Sequence, residues 1–207
     1  MPDYNELEYP MDEFGERDFP QVLVDYLIIR FGIKPNEMLL DVGCGKGFYA
    51  NAFGRRGITA MGLDAKDCNF ETDLFPMKYD YFDVVFTKST LEHIANLDNV
   101  LGEMLRLLKP NGLVICIVPD YLSQWKTFYD DITHITPLTR KSVIQAFLLA
   151  GFKNVKCERF TMLRLVLKHG WLCWLPPLLR LLPDCFKRYN VVRFSKERML
   201  LLVATKM

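Results

Sequence analysis

The stretch LLDVGCGKGFYA at residues 39–50 decides the fold. Its apolar start ends at Val42 and passes into Gly43, Gly45 and Gly47, which stand before a helix-like segment. Glycine at alternate positions allows positive φ angles and lets a ligand approach the backbone without meeting a Cβ atom. The helix that follows presents unpaired N–H groups at its first turn. The pattern predicts a strand, a tight turn and a helix start that together hold a nucleotide or nucleoside cofactor.

Composition and charge narrow the class of protein. The chain has 207 residues, half of them hydrophobic and a quarter charged, which is typical of a globular protein with one sizeable domain. A formal net charge of +1 provides no general attraction to polyanions, so nucleic acid is not an expected partner. The sequence shows neither a secretory signal nor a charge-free apolar run of about 18 residues, which favours a cytoplasmic protein.

The six cysteines are scattered and include no C-x-x-C pair. This spacing argues against a cysteine zinc site and against a disulfide framework. We therefore expect no metal.

Apolar runs alternate with helical patterns along the chain. Strands are expected at about 37–42, 57–63, 82–87 and 113–118, and helices from about 19 or 20 to 31, from 48 to 53 and from 97 to 108. Strands that are apolar throughout and alternate with helices indicate a doubly wound α/β domain, in which helices cover both faces of a parallel sheet. Ligands bind at the carboxyl ends of such strands, and four polar residues lie at or near these ends: Asp41, Asp64, Lys88 and Asp120.

Other segments are less regular. Residues 67–81 are expected to be irregular, with a short strand near Phe70, and the residues at 109–112 are typical of a turn. After a loop at 120–137, Thr139 is expected to cap a helix over 140–150, and strands follow at 152–160 and 198–205. Residues 1–19 are interpreted as an N-terminal arm or lid, and residues 20–207 as a single domain with an apolar insertion at about 161–197.

Asp64 makes the glycine turn more informative. It closes the second strand about twenty residues after the turn, where a carboxylate can accept hydrogen bonds from both hydroxyls of a ribose. The alternative is that Asp64 only caps a loop. The glycine spacing is G-x-G-x-G, whereas dinucleotide enzymes carry G-x-G-x-x-G at the same place.

Four motifs in this order resemble the class I S-adenosylmethionine (SAM) dependent methyltransferases. They are DVGCGKG at 41–47, GLD at 62–64, FDVVFTKSTLEHI at 82–94 and LKPNGLVICIVP at 108–119. The resemblance covers about residues 35–152. It implies a Rossmann-like, seven-stranded, mostly parallel sheet with helices on both faces, whose last strand is antiparallel, and MLLLVATKM at the C-terminus suits that strand.

The resemblance also implies the cofactor and its site. SAM is the expected cofactor, and S-adenosyl-L-homocysteine is its product. Asp41 and the glycines would border the methionyl part, Asp64 the ribose, and Asp73 with Leu74 the adenine. Three interpretations are open for Lys88: it contacts the cofactor, it faces the acceptor, or it is a solvated lysine. The full implied set is Asp41, Gly43, Cys44, Gly45, Gly47, Asp64, Ala65, Asp73, Leu74 and Lys88.

Methyl transfer to a neutral hydroxyl needs a base within hydrogen-bond reach of that hydroxyl. The segment DDITHITPLT at 130–139 follows the fifth strand and carries His134, which we predict to be this base or a contact to the acceptor. Asp131 is predicted to orient the imidazole. The alternative is that His134 only ties the loop to a neighbouring carbonyl. His93 is expected to be structural rather than catalytic.

The acceptor is predicted from the same segment. A D-x-T-H sequence followed by TP, a helix and AGF resembles bacterial methyltransferases of cell-surface polysaccharide and lipid-linked glycan pathways. This resemblance implies a small-molecule or lipid-linked acceptor, with the hydroxyl of a glycan precursor as its methylated group. The chain has no N-P-P-Y stretch, which argues against a nucleobase. Two alternatives are an N- or C-methyltransferase of a lipid, quinone or other small molecule, and a non-catalytic scaffold with the SAM fold.

Residues 162–182 are densely apolar but are interrupted by charges and by the Pro176–Pro177 pair, which excludes a membrane span. Trp171 and Trp174, with basic residues downstream, instead predict a peripheral contact with the inner face of the membrane through residues 162–188. The alternative is that these leucines cover the sheet edge or form a homodimer contact.

Overall fold

A computed structural model gives the structure of residues 18–207. The predicted arm or lid at 1–19 lies outside the described residues except for its end, which belongs to the first helix. The strands are β1 (Met38–Val42), β2 (Thr59–Leu63), β3 (Phe82–Lys88), β4 (Leu108–Pro119), β5 (Lys153–Phe160) and β6 (Met199–Thr205). The helices are α1 (Asp18–Phe31), α2 (Phe48–Gly54), α3 (Leu97–Leu107), α4 (Tyr121–Gln124), α5 (Arg140–Leu149), α6 (Arg164–Lys168), α7 (Leu175–Leu179) and α8 (Asn190–Lys196). Short 3₁₀ turns lie at Leu91–His93, Phe128–Asp130, Gly170–Trp174 and Asp184–Arg188.

The strands form one sheet in the order β2-β1-β3-β4-β6-β5. The pairs β2 with β1, β1 with β3 and β3 with β4 are parallel, and β6 runs antiparallel to both β4 and β5. Sequence order reverses between β1 and β3, which is where a doubly wound sheet opens a crevice for a ligand. The predicted Rossmann-like architecture with an antiparallel last strand is confirmed.

The predicted number of strands is wrong, because residues 18–207 contain six strands and the strand near Phe70 is absent. The backbone of residues 69–73 makes hydrogen bonds within its own turn and with α3 instead of with a strand. The N–H of Asp73 donates to the carbonyl of Asn69, and the side-chain amide of Asn99 in α3 donates to the carbonyls of Phe70 and Asp73. Phe70 and Phe75 are buried in the core beneath this turn. The segment between Phe70 and Phe75 is short, and both rings are held in the core. Its backbone therefore cannot extend alongside β2 as a strand.

Helices cover both faces, and the alternation of side chains along each strand divides the core between them. On one face, Val85 of β3 and Cys116 of β4 pack in a cluster with residues of α3 and α5. On the other, Phe86 and Ile115 pack in a cluster with residues of α1 and α2. Long apolar runs such as those of β3 and β4 therefore follow from burial on both sides of the sheet.

The turn predicted at residues 109–112 lies within β4 as an irregularity. Phe82 pairs with Leu108, whereas Val84 pairs with Leu113, so the intervening residues bulge out of register. Asn111 has a positive φ of 64° and donates its N–H to the carbonyl of Lys206. The predicted turn is therefore wrong as a separate element: these residues belong to β4, and backbone hydrogen bonds with Lys206 keep them attached to the sheet.

The apolar segment 161–197 begins and ends at the end of the sheet where the parallel strands have their carboxyl termini. It leaves β5 after Phe160 and enters β6 at Met199, which pairs both with Phe160 and with Pro119 at the carboxyl end of β4. The segment folds into short helices and 3₁₀ turns, and α6 packs against α1. In residues 18–207, every helix is too short or too polar to cross a membrane.

Candidate functional site

The glycine turn between β1 and α2 is held tightly against two neighbouring segments. Gly43, Gly45 and Gly47 have φ angles of 76°, 51° and 73°, which L-residues with a side chain rarely adopt. The N–H of Gly43 donates to the carbonyl of Leu63 at the end of β2. A Cβ atom on Gly43 would lie 2.1 Å from Oγ1 of Thr90, so only glycine fits at this position.

Asp41 lies beneath this turn with its side chain 1% exposed. Within residues 18–207, its Oδ2 atom has no hydrogen-bond partner. Burial raises the pKa of Asp41 to about 7, against the opposing effects of a backbone hydrogen bond from Ala50 and the charge of Lys88. A buried carboxylate oxygen without a donor is costly and calls for a ligand that brings one. The ammonium group of the methionyl part of SAM is such a donor, so this site fits the predicted cofactor.

Asp64 lies at the same edge of the sheet as Asp41. Val42 pairs with Leu63, so Asp64 follows directly beyond the end of β2. It is partly exposed, and its N–H donates to the Oδ2 atom of Asp67, which forms a turn. The neighbouring Ala65 is exposed.

The side chain of Cys44 occupies the space that is open because Gly62 has no side chain. A Cβ atom on Gly62 would lie 2.6 Å from the Sγ atom of Cys44. Burial raises the pKa of the Cys44 thiol to about 11, which keeps it neutral. The thiol therefore acts as a small packing group in the turn rather than as a nucleophile.

Lys88 is the last residue of β3 and is partly buried. Its Nζ donates to Oγ of Ser89 at 3.1 Å and lies 5.5 Å from the centre of the Tyr49 ring in α2. It thus lies between the glycine turn and the segment after β3.

Asp73 and Leu74 lie on the turn that packs against α3. The Asp73 carboxylate accepts hydrogen bonds from the N–H of Asn69 and the hydroxyl of Thr72, both at 2.9 Å. These bonds, led by that from the Asn69 backbone, lower the pKa of Asp73. The carboxylate stabilises its own turn, while Leu74 is mostly exposed. A role for this pair at the adenine stays a prediction.

His134 is held in the loop that crosses the carboxyl ends of the strands. Its Nδ1 lies 2.6 Å from the carbonyl oxygen of Phe128, whose ring stacks on the imidazole. The loop is tied down by the N–H groups of Ile135 and Thr136, which both donate to the carbonyl of Glu92. Nε2 of His134 lies 3.7 Å from Oδ2 of Asp131. Nδ1 is thus in contact with a backbone carbonyl, whereas Nε2 lies near Asp131 at a distance longer than a hydrogen bond, so the orienting role of Asp131 stays a prediction.

The structure also brings His93 to this group, although the sequence suggested only a structural role for it. Oγ1 of Thr133 lies 2.8 Å from Nδ1 of His93 and 2.7 Å from Oδ1 of Asp131. The ring centres of His93 and His134 are 4.7 Å apart. Sequence reasoning missed Thr133 and Glu92. The one available signal was that two histidines each follow the carboxyl end of a strand.

Asp120, the fourth polar residue at a strand end, makes contacts that stabilise the sheet. Its buried Oδ2 accepts a hydrogen bond from Nε of Arg159 at 2.9 Å and lies 3.9 Å from Nη2 of Arg198. These pairs connect the end of β4 to β5 and to the residue before β6. Asp120 therefore holds the antiparallel part of the sheet in register.

Comparisons with known proteins agree with this fold. The family model described as methyltransferase domain matches residues 16–157. A SAM-dependent methyltransferase from Archaeoglobus fulgidus superposes with a TM-score of 0.63 at 20% identity, covering 99% of this chain and 100% of that one. Phosphoethanolamine N-methyltransferase 2 of Haemonchus contortus, solved with SAM, superposes with a TM-score of 0.60 at 17% identity, covering 96% of this chain and 61% of that one.

The ubiquinone biosynthesis O-methyltransferase of Maricaulis maris is 35% identical over an alignment of 107 residues, and the match covers 41% of this chain and 42% of the relative. The matched segment thus spans less than half of that relative's length. The sheet order and the glycine turn define the fold of class I SAM-dependent methyltransferases. The chain belongs to the methyltransferase domain family, and the predicted family is confirmed.

Proposed function

We propose that this chain transfers the methyl group of SAM to an oxygen of a small or lipid-linked acceptor. The observation that supports this most directly is the buried Oδ2 atom of Asp41, which lacks a donor within residues 18–207 and lies below the glycine turn. The loop that carries His134 crosses the same edge of the sheet. Bound SAM would supply an electrophilic methyl group on a sulfonium centre.

Each predicted cofactor residue has a definite task in this proposal. Asp41 accepts hydrogen bonds from the methionyl ammonium, and the backbone of the glycine turn lies against the methionyl chain without intervening side chains. Asp64 accepts hydrogen bonds from the ribose hydroxyls, and Asp73 with Leu74 lies at the adenine. Three further residues line the turn and its surroundings: Cys44, Ala65 and Lys88.

His134 is the residue that we assign to the acceptor. Because a carbonyl oxygen only accepts hydrogen bonds, the contact with Phe128 places a proton on Nδ1 of His134. Nε2 then carries the lone pair and can take the proton from an acceptor hydroxyl. Asp131, with Oδ2 3.7 Å away, stabilises the imidazolium that results. Holding acceptor and donor in line supplies much of the remaining reduction of the barrier.

The acceptor hydroxyl belongs, in this proposal, to a glycan precursor. A phenolic hydroxyl is the second candidate, because the Maricaulis maris relative is named for O-methylation in ubiquinone biosynthesis. The two candidates differ chemically, since a sugar hydroxyl has a much higher pKa than a phenol and depends more on a base.

An apolar surface supports a lipid-linked acceptor and a peripheral position on the inner face of the membrane. Trp171 is 71% exposed and Leu181 is 81% exposed, and Trp174 and Leu178 are exposed as well. This surface belongs to the segment between β5 and β6, which begins and ends at the same end of the sheet as the carboxyl end of β4. Tryptophans beside basic residues are suited to the interface of an anionic membrane. A homodimer contact is the competing occupant of this surface.

Two measurements test the proposed function. Isothermal titration calorimetry is expected to show binding of SAM and S-adenosyl-L-homocysteine, and Asp64→Ala is expected to weaken both. If the parent chain binds neither, the enzyme proposal fails and a scaffold role takes its place. Incubation with SAM and extracts of cell-envelope precursors, followed by mass spectrometry for the gain of one methyl group, identifies the acceptor. Methylation only at nitrogen or carbon would refute an oxygen acceptor.

A further inference from the structure

Glu92, His93 and His134 form a cluster that the methyl-transfer proposal uses only in part. One carboxylate oxygen of Glu92 and one nitrogen of each imidazole all lie within 4.8 Å of one another. Glu92 is 1% exposed, and the two histidines are partly buried. Glu92 and His93 belong to the 3₁₀ turn after β3, and His134 comes from the loop that donates two N–H groups to the Glu92 carbonyl.

The proton on His93 follows from its hydrogen-bond partners. The Asp131 carboxylate only accepts hydrogen bonds, so the hydroxyl of Thr133 donates its single proton to Oδ1 of Asp131 at 2.7 Å. That hydroxyl can therefore only accept from Nδ1 of His93 at 2.8 Å. Nδ1 of His93 carries a proton, which leaves the lone pair of the neutral ring on Nε2.

The same reasoning applies to His134, whose Nδ1 donates to the Phe128 carbonyl at 2.6 Å. Both histidines thus have Nδ1–H fixed by an oxygen acceptor and a lone pair on Nε2. In metal sites of proteins, a hydrogen bond from the nitrogen that does not bind the metal orients each histidine ring. Here the acceptor of that bond is the Phe128 carbonyl for His134, and for His93 it is the Thr133 hydroxyl, which in turn donates to Asp131.

The cluster combines one buried carboxylate with two imidazoles. Glu92 is a buried carboxylate beside two imidazoles that present lone pairs, and Nε2 of His134 faces the Asp131 carboxylate at 3.7 Å. Acceptors that face one another in a site of low dielectric favour a cation among them. A divalent metal ion is a cation that two imidazole nitrogens and a carboxylate oxygen within 4.8 Å of one another can bind.

We propose that Glu92, His93 and His134 bind one divalent transition-metal ion of the Zn²⁺ or Mn²⁺ class. Two imidazole nitrogens and one carboxylate oxygen suit such ions, whereas Mg²⁺ and Ca²⁺ prefer a shell of oxygens. Three protein ligands leave a coordination position open, where an acceptor oxygen can bind and have its pKa lowered. In the metal-loaded chain, His134 holds the ion in place of taking the proton. This catalytic role rests on the function proposed above, whereas the ion site does not.

The test uses ZnCl₂ as the probe and removes the exposed thiols first, because Cys173 and Cys185 could bind zinc on the surface. The parent for this experiment is the full chain with Cys173→Ser and Cys185→Ser, stripped with a chelator and titrated by calorimetry. We expect one Zn²⁺ per chain. His93→Gln and His134→Gln are each expected to weaken Zn²⁺ binding at least about tenfold. The exposed third histidine provides the matched control, and His169→Gln is expected to bind Zn²⁺ as the parent does.

A second spectroscopic readout reports the ligands directly. Co²⁺ bound in place of Zn²⁺ is expected to give a visible ligand-field spectrum without thiolate charge transfer, and this spectrum should disappear in Glu92→Gln. Circular dichroism and SAM calorimetry on each variant establish that it is folded. Zn²⁺ binding that is absent, or unchanged in folded His93→Gln and His134→Gln, overturns the metal site. SAM binding in those same samples decides the proposed function separately, so the two proposals fail on different measurements.

Discussion

Gly43 and Thr90 are in such close contact that a Cβ atom on Gly43 would lie 2.1 Å from Oγ1 of Thr90. The Thr90 hydroxyl also donates to the carbonyl of Val42 at 3.3 Å. The glycine turn after β1 and the segment after β3 therefore pack as one unit. Since Glu92 and His93 follow Thr90 within three residues, this contact links the predicted cofactor turn to the histidine cluster.

Gly43→Ala is expected to damage both stability and cofactor binding. The new methyl group collides with Thr90, and the φ angle of 76° is unfavourable for alanine. We expect a loss of about 1–3 kcal/mol in the free energy of unfolding and a weaker SAM affinity. Urea titration and calorimetry measure these effects. Gly54→Ala is the control, because nothing outside the neighbouring backbone of its own helix lies within 4 Å of the added Cβ, and equal effects of the two changes would contradict the argument.

Asp41→Asn is expected to stabilise the ligand-free chain at alkaline pH. Burial raises the pKa of Asp41 from 3.8 to about 7, so the folded state holds its proton more tightly than the unfolded state does. The parent therefore loses stability as the pH rises from about 4 to 7, and asparagine has no such loss. The free energy of unfolding of Asp41→Asn minus that of the parent is expected to be about 2–4 kcal/mol larger at pH 8 than at pH 4.

SAM provides the second readout for Asp41. If the carboxylate accepts hydrogen bonds from the methionyl ammonium, SAM raises the melting temperature of the parent at pH 8 and has little effect on Asp41→Asn. Thermal melts at pH 4 and pH 8, with and without SAM, measure both effects. An equal shift by SAM in parent and variant would remove Asp41 from the cofactor site.

His134→Ala is expected to lower turnover by roughly 10²–10⁴-fold while leaving SAM affinity unchanged. In the proposed function the imidazole contacts the acceptor, so its loss is expected to affect the hydroxyl rather than the cofactor. Single-turnover assays with the acceptor and calorimetry with SAM separate these effects. His169→Ala is the control, because this histidine is exposed and lies outside the loop. Unchanged turnover in His134→Ala would refute the assigned role.

Membrane binding is expected to depend on the exposed tryptophans. Trp171→Ser with Trp174→Ser should abolish flotation with vesicles that contain anionic lipid, because the indole rings provide the apolar contact. High salt should weaken flotation of the parent, since basic residues contribute attraction that salt screens. Leu149→Ser removes an 86% exposed apolar side chain from the end of α5 and should float as the parent does. A double variant that also floats would favour a protein partner for this surface.

Features set by neighbours along the chain could be predicted from the sequence. Thr139 caps α5 in a capping box with Ser142, as its position before the helical pattern indicated. Gly43, Gly45 and Gly47 have the positive φ angles that their spacing implied. The apolar strands and their mostly parallel pairing followed from the alternation of buried runs with helical patterns, because burial on both faces requires helices on both faces.

Features that depend on distant partners could not be predicted from the sequence. The strand expected near Phe70 is absent because the side-chain amide of Asn99 in α3 donates a hydrogen bond to the Phe70 carbonyl and the Phe70 ring is buried in the core. The pairing of Asp120 with Arg159, and of His93 with Thr133, joins segments that only the folded sheet brings together. The sequence by itself determined the glycine turn and the class of fold, since both depend on local backbone freedom and on hydrophobic periodicity. Only the tertiary structure decided which side chains meet around His134, because hydrogen bonds between distant residues depend on geometry that no local pattern encodes.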